Sequence, residues 1–207
     1  MFALVDKSDN SITRMLNGNR GIQIGDLKYP RAIYTLWTEA ERNAINIYSI
    51  VYDDTNKKDE KWYINTNQSF AFADNKVTAT YGTATAKAHA DTTWTQQQID
   101  DGDAPDGADT DTVATRGLKY VLIQTVKVQA ESELNKTDWY ITRKAEKNTA
   151  IPSAITTHRD LVRSRQAAME TSITNASDTP ALETLYTYTT DSDGVSSRPL
   201  AVIPTLD

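Results

Sequence analysis

The side chains that most often carry enzyme chemistry are scarce in this sequence. It has no cysteine and only two histidines, His89 and His158, which do not form a His-x-x-x-His metal pair. Without cysteine there is no disulfide, no thiolate zinc site and no cysteine nucleophile. A Gly-x-Ser-x-Gly nucleophile elbow and a phosphate-binding glycine loop are also absent. We therefore predict that the chain is not an enzyme and has no catalytic residue, no cofactor and no metal site.

The acidic run at residues 100–111 is the stretch whose composition comes nearest to a cation site. Carboxylates that alternate with glycine can wrap a hard cation such as Ca²⁺. Counted from Asp101, however, the EF-hand positions for a ligand, for the glycine and for the final glutamate hold Pro105, Asp106 and Thr112. We therefore interpret residues 89–117 as an acidic linker or exposed loop.

The net charge of −6 is concentrated in the same segment. Residues 1–90 carry 11 basic and 10 acidic side chains, residues 118–207 carry 10 and 11, and residues 91–117 carry 1 and 7. The broad basic face that nucleic-acid binding needs is not evident. No run approaches the roughly 20 apolar residues of a membrane-spanning helix, and the N-terminus lacks the pattern of a signal peptide. We predict neither a nucleic-acid partner nor membrane insertion.

Residues 1–88 have the pattern of a small α+β domain. Short apolar runs at 2–5 and 11–16 surround a turn rich in Asp and Asn, which predicts an opening hairpin. Thr38 begins a capping-box pattern with the glutamate three residues later, which predicts a short helix over 39–45. The domain is thus predicted to contain one short helix and mostly antiparallel strands. The further strands are predicted at 22–24, 47–52, 61–64, 69–72 and 76–81.

The period of the apolar residues changes in the second half of the chain. Leucine, valine or alanine at every fourth position predicts a helix over 118–134. Thr137 is expected to cap a short helix over 138–146, with Asp138 favourable at the positive end of that helix.

A longer amphipathic helix is predicted for residues 153–174, because Pro152 excludes the residue before it from a helix and an apolar stripe follows. The first and the long helix are expected to pair in a helical hairpin domain over 118–188, which ends with a short helix at 181–186. Residues 189–207 are predicted to form an extended tail, and the run between its two prolines is apolar enough to dock.

Seven side chains of this helical region are the predicted contact residues for partner proteins. Neighbours on a helix point about 100° apart, so one of Trp139 and Tyr140 is expected to face the hairpin core and the other the exterior. Tryptophan and tyrosine are favoured at protein interfaces. The predicted interface residues are Trp139, Tyr140, Ile155, Leu161, Val162, Met169 and Ile173.

The segment around Trp139 resembles a segment found in tail proteins of tailed bacteriophages. The resemblance rests on Leu134, Thr137-Asp-Trp-Tyr140, Arg143-Lys144, Ile151-Pro152 and His158-Arg159. The phage pattern usually has a tyrosine where this sequence has His158. Residues 21–52 are more loosely similar to N-terminal parts of such virion proteins.

The resemblance implies a structural component of a phage tail, fibre or baseplate that acts by protein–protein docking and oligomerisation. Its partners would be other virion tail proteins and copies of itself, and its location the virion, after assembly in the host bacterial cytoplasm. A tail-fibre assembly chaperone is an alternative, because similar segments occur in such chaperones. A second alternative is a host-glycan-binding domain that uses Trp62, Tyr63 and Trp94 as sugar platforms.

Overall fold

The computed structural model describes residues 1–66 and 68–206. The chain divides into two compact units, Met1–Thr85 (unit 1) and Ala86–Asp207 (unit 2). Unit 1 is built mainly of strands and unit 2 mainly of helices, so the predicted α+β class is confirmed. The boundary lies three residues before the predicted one at 88, and the acidic segment belongs to unit 2.

In residues 1–66 and 68–85, unit 1 contains eight strands and two short helices, and a ninth strand begins at its last residue. In chain order they are β1 (Phe2–Asp6), β2 (Ser11–Leu16), β3 (Ile22–Ile24), β4 (Leu27–Tyr29), α1 (Ile33–Leu36), α2 (Glu39–Ala44), β5 (Ile47–Asp53), β6 (Tyr63–Ile64), β7 (Gln68–Ala73), β8 (Lys76–Tyr81) and β9 (Thr85–Ala86).

Five of these strands form the main sheet, in the order β2-β1-β5-β8-β7. Strand β1 is antiparallel to β2 and β5, and β7 is antiparallel to β8. The central pair β5–β8 is parallel, so the expectation of mostly antiparallel strands holds with one exception. A parallel pair needs a long crossover connection, and residues 54–75 supply it.

The sheet of unit 1 buries residues on both faces because alternate side chains of a strand point to opposite sides. One apolar cluster includes Tyr48, Ile50, Val77 and Ala79. The second cluster lies around Ile47 of β5 and adds side chains from β2, β3 and α1.

Local signals account for most of unit 1, with two omissions. The capping box at Thr38 is present, and α2 follows it as predicted. Strand β4 and the single-turn helix α1 were not predicted, because each is too short to show a period. Strand β6 is shorter than the predicted 61–64, since the amides of Trp62 and Tyr63 turn back to the Asp59 carbonyl. The sequence also predicts a turn at 65–67, and Asn67 in that turn lies outside the described residues.

After β9, unit 2 contains four more strands and five helices in the part that the structure describes. In chain order they are β10 (Thr92–Thr93), α3 (Gln96–Asp100), β11 (Val113–Thr115), α4 (Leu118–Asn135), α5 (Asp138–Lys147), α6 (Ser153–Asn175), α7 (Thr179–Tyr186), β12 (Thr189–Thr190) and β13 (Ser196–Ser197).

The segment at 89–117, predicted as a linker or an exposed loop, is a loop of unit 2 that we call the excursion. Its ends are joined by the antiparallel pair β10–β11. Its second end is also fixed where α4 begins, because the Gly117 amide donates to Asp91 Oδ1 at 2.8 Å and the Leu118 amide donates to the Ala88 carbonyl at 3.0 Å. Most residues of the excursion are exposed, as its composition predicts, and its tip at residues 100–111 holds six exposed aspartates.

Helices α4 and α6 form the predicted hairpin, with α5 across the turn. They run antiparallel, since Lys119 Nζ at the start of α4 donates to the Thr174 carbonyl near the end of α6. Helix α7 begins before the predicted residue 181, because Asp178 caps it by accepting the Ala181 amide at 2.8 Å. The sequence Thr179-Pro180 also predicts that Thr179 caps α7, but its hydroxyl is buried and donates to the Lys87 carbonyl.

The C-terminal tail is only partly extended. Strands β12 and β13 form a small hairpin, and the apolar run that follows docks as predicted. Leu200 is buried, and its amide donates to the Leu185 carbonyl at 2.9 Å. The last predicted residue of the tail, Asp207, lies outside the described residues.

Candidate docking surface

The apolar stripes of α4 and α6 face each other and form part of the core of unit 2. Spacing of three or four residues places them on one side of each helix. From α4 the buried residues include Leu122, Val126 and Ala130. Four of the predicted interface residues, which are Ile155, Val162, Met169 and Ile173, lie at 0–8% exposure. Because the chain itself covers them, these four are core residues and not contact residues for a partner.

Arg159 of α6 joins α6 to the turn between α4 and α5. Its Nη1 atom lies 2.8 Å from the Leu134 carbonyl oxygen, 2.6 Å from Thr137 Oγ1 and 2.8 Å from Asp138 Oδ1. Arg159 and Thr137 are both buried. Thr137 occupies the N-cap position of α5 as predicted, but its hydroxyl donates to the Leu134 carbonyl and makes no capping hydrogen bond to α5. Four of the residues that carry the phage-tail resemblance are thus in contact, because the Arg159 guanidinium binds Leu134, Thr137 and Asp138.

Glu133 is a buried carboxylate next to the contacts of Arg159. It lies 2.5 Å from Lys136 Nζ and 3.2 Å from His158 Nε2, and it accepts the amide of Leu206 at 2.7 Å. The hydrogen bond from Lys136 lowers the pKa of Glu133 from its ordinary value; burial acts in the opposite direction, and the Leu206 amide supports the lowering. Glu133 therefore ties the C-terminal segment to α4 while it is charged.

This tie predicts that the C-terminal segment loosens in acid. Because the folded pKa of Glu133 is lowered, its contribution to stability is present above the unfolded pKa and is lost as the pH falls through the folded pKa. Below about pH 4.5, which is the ordinary pKa of a glutamate side chain, we expect amide hydrogen exchange at Leu206 to become faster relative to amide hydrogen exchange in α4. The Glu133→Gln variant should lose this pH dependence, since its amide does not titrate in this range.

Glu131→Gln is the matched control, because Glu131 is an exposed carboxylate on the same helix. It should leave the acid response at Leu206 as it is in the unchanged chain. An identical acid response in Glu133→Gln would show that another group holds the segment.

The outward side of α4 carries an exposed apolar surface with uncharged lining side chains, and at its edge the Arg116 guanidinium lies 4.3 Å from the Tyr120 ring centre. Tyr120, Val121 and Val128 are 40%, 52% and 62% exposed. The two valines are seven residues apart, which is about two helical turns, and so they lie on the same side of the helix. We call this surface the α4 face, and it is lined by Tyr120, Val121, Gln124, Thr125, Val128 and Gln129.

A second exposed surface lies on α5. The rings of Trp139 and Tyr140 are 3.7 Å apart between centroids, and the Arg143 guanidinium lies 4.7 Å from the Trp139 ring centre. Trp139 is 51% exposed, as expected for the outer ring, and Tyr140 is half-buried, so neither ring belongs to the fully buried core. Leu161 on α6 is 45% exposed. Of the seven predicted interface residues, these three remain accessible to a partner.

The groups considered for other functions have structural roles or are buried. Trp62 and Tyr63 are 3% and 5% exposed, so they cannot serve as sugar platforms, and Trp94 is half-buried. His158 faces Glu133 inside unit 2. Within residues 1–66 and 68–206, no group of three His, Asp or Glu side chains is placed to hold a metal ion.

Two further findings concern membrane spans and similarity to known proteins. Across the described part of the chain, no helix combines the length and the apolar character needed to cross a membrane. Comparisons of the chain with protein-family models, curated proteins and solved structures give no match.

Proposed function

We propose that this protein is a structural component of a phage tail, fibre or baseplate, which docks on neighbouring tail proteins and on copies of itself. The observation that carries the docking role is the α4 face, where two exposed valines and a tyrosine lie among uncharged polar side chains. Contiguous exposed apolar surface without charge is typical of protein interaction sites.

The assignment to a phage tail is supported by the resemblance between residues 134–159 and tail proteins. Within that segment Arg159 contacts Thr137 and Asp138, and these three belong to the residues that carry the resemblance. Such a buried contact gives a structural reason for these residue types at this spacing. The exposed Trp139 next to the contact supports a role in docking, since tryptophan is frequent at the centres of interfaces.

In this proposal the α4 face packs on an uncharged surface of another protein of the particle. Burial of apolar surface contributes about 25 cal/mol per Å², before the entropy lost on association. A charge placed in such a contact is desolvated without a partner, which opposes binding. Charged substitutions on the α4 face therefore separate docking from folding, because these side chains do not belong to the core of unit 2.

The test is mass spectrometry of intact tailed particles purified from the lysate in which the protein is produced. We expect the unchanged chain in the particles at a fixed copy number. The variant with Val121→Glu and Val128→Glu should be incorporated at least about tenfold less, since two desolvated charges oppose docking. Lys127→Glu, on the flank of the same helix, should be incorporated normally.

Absence of the unchanged protein from the particles would overturn the proposal. Recovery of the protein with fibre proteins in infected cells, but not in particles, would instead indicate an assembly chaperone. Normal incorporation of the double glutamate variant would show that the α4 face is not the docking surface.

A further inference from the structure

Unit 1 contains a cleft that the proposed function does not use. It has a volume of about 460 Å³ and is lined by the end of β2, the turn at 17–21, the start of β3 and Tyr34 of α1. Leu16, Ile22 and Tyr34 are buried side chains of the second apolar cluster and form its floor. Arg14 and Arg20 belong to its polar rim. We call it the arginine cleft.

The walls of the arginine cleft are well defined by local contacts. The Asn17 side chain accepts the Asn19 amide at 3.1 Å, and Gly18 has a φ of +73°, a conformation that glycine adopts readily. A Cβ atom at Gly21 would lie 2.4 Å from the Tyr29 carbonyl oxygen, so the turn packs closely against β4. The cleft is therefore preorganised, which limits the entropy lost when it is filled.

The charge of the arginine cleft is positive and uncompensated. Both arginine side chains are exposed, and neither forms an ion pair with any residue that the structure describes. None of the residues that line the cleft is acidic. Guanidinium groups bind carboxylates through two parallel hydrogen bonds, so the rim is suited to an acidic chain segment that also offers small apolar groups to the floor.

The tip of the excursion in unit 2 has the complementary composition. Residues 100–111 contain six aspartates, all exposed, and none of them pairs with a cationic side chain in the described part of the chain. Ala104 and Pro105 lie between Asp103 and Asp106, which gives small apolar groups flanked by carboxylates. We call residues 100–111 the acidic loop.

We propose that the arginine cleft of one copy binds the acidic loop of a second copy. Asp103 and Asp106 pair with Arg14 and Arg20, while Ala104 and Pro105 cover the apolar floor. The contact joins two different surfaces, so each copy offers a cleft and a loop to its neighbours. This inference rests on the proposed function, to which it adds how copies associate.

The contact has a defined salt dependence. Charges on exposed side chains are screened within about 10 Å at 0.1 M salt and about 3 Å at 1 M salt. We therefore expect the full chain to self-associate with rising concentration at low salt, and to dissociate at high salt. Sedimentation velocity of the purified protein measures both changes.

Charge reversal on either side tests which surfaces meet. The cleft variant carries Arg14→Asp and Arg20→Asp, and the loop variant carries Asp103→Lys and Asp106→Lys. Each alone should self-associate at least about tenfold more weakly, because like charges then face each other. An equimolar mixture should associate again, since the loop of the first variant fits the cleft of the second. All four positions are exposed, and circular dichroism verifies that both variants are folded.

Arg31→Asp is the matched control, because Arg31 is an exposed arginine of unit 1 that does not line the cleft. It should leave self-association close to that of the unchanged chain. A chain that stays monomeric at every concentration would overturn the inference, as would variants that associate normally or a mixture that does not recover. Incorporation into particles through the α4 face does not depend on this result, so failure of one proposal is distinguishable from failure of the other.

Discussion

Replacing Arg159 with alanine is expected to lower the free energy of unfolding of unit 2 by about 3 kcal/mol. The guanidinium donates to the Leu134 carbonyl and the Thr137 hydroxyl, and it pairs with Asp138. Its removal leaves a buried carbonyl and a buried hydroxyl with fewer hydrogen bonds and creates a cavity between α6 and the α4–α5 turn. Asp138 contributes less to the loss, because its side chain is half exposed and is hydrated in the variant.

Hydrogen exchange of peptides from α4, α5 and α6 measures this loss, because it reports unit 2 separately from unit 1. Arg163→Ala is the matched control, since Arg163 lies one turn further along α6, is 53% exposed and has only a 3.4 Å contact with Asp160. Exposed pairs of this kind contribute about 0–1 kcal/mol. Equal effects of the two substitutions would show that the buried contacts of Arg159 do not stabilise the turn.

The inward position of Arg159 could be predicted from the helical period that predicts α6. It lies four residues after Ile155 and three before Val162, so the period places it on the inward side of the helix. Glu133 likewise lies seven residues after Val126, on the inward side of α4. A charged residue on an apolar side signals a buried polar contact. Its partners could not be predicted, because they come from a turn whose geometry depends on how the helices pack.

The predicted interface was too large for a related physical reason. An apolar stripe on a helix has the same spacing whether its own chain or a partner covers it. The sequence shows that Met169 and Ile173 need cover, but α4 and other parts of unit 2 provide it. The accessible α4 face, in contrast, was not predicted although the sequence indicates it. Val121 and Val128 are apolar residues on an otherwise polar side of α4, which is a sign of an exposed apolar surface.

Residues 89–117 show a further limit of composition as a guide to structure. Low apolar content and six neighbouring aspartates indicate exposure, and the tip is exposed. Composition does not predict which distant residues pair through their backbones. In this protein such pairing, between β10 and β11, closes the excursion. The sequence held one sign of it, a glycine directly before an unmistakable helical row, since glycine often marks a close approach of two backbones.

Gly117→Ala is therefore expected to destabilise the start of α4 by about 3 kcal/mol, at the upper end of typical overpacking effects. A Cβ atom at this position would lie 2.3 Å from the carbonyl carbon and oxygen of Ala90, which are backbone atoms and cannot rotate away. Gly117 has φ −81° and ψ 172°, which alanine adopts without strain, so the cost comes from the contact itself. Separation of the two backbones also weakens the bond from the Gly117 amide to Asp91.

The expected signature is faster hydrogen exchange in residues 86–93 and 113–120, with the middle of α4 less affected. Gly107→Ala is the control, because a Cβ atom at Gly107 would meet nothing within 4 Å. The free energy of unfolding should fall by only about 1 kcal/mol, since alanine is strained at the φ of +79°. Adding Ala90→Gly to Gly117→Ala should give no rescue, because the obstructing atoms belong to the backbone of residue 90. If the second change restored stability, the Ala90 side chain would be the obstacle to a side chain at residue 117, and not the close approach of the two backbones.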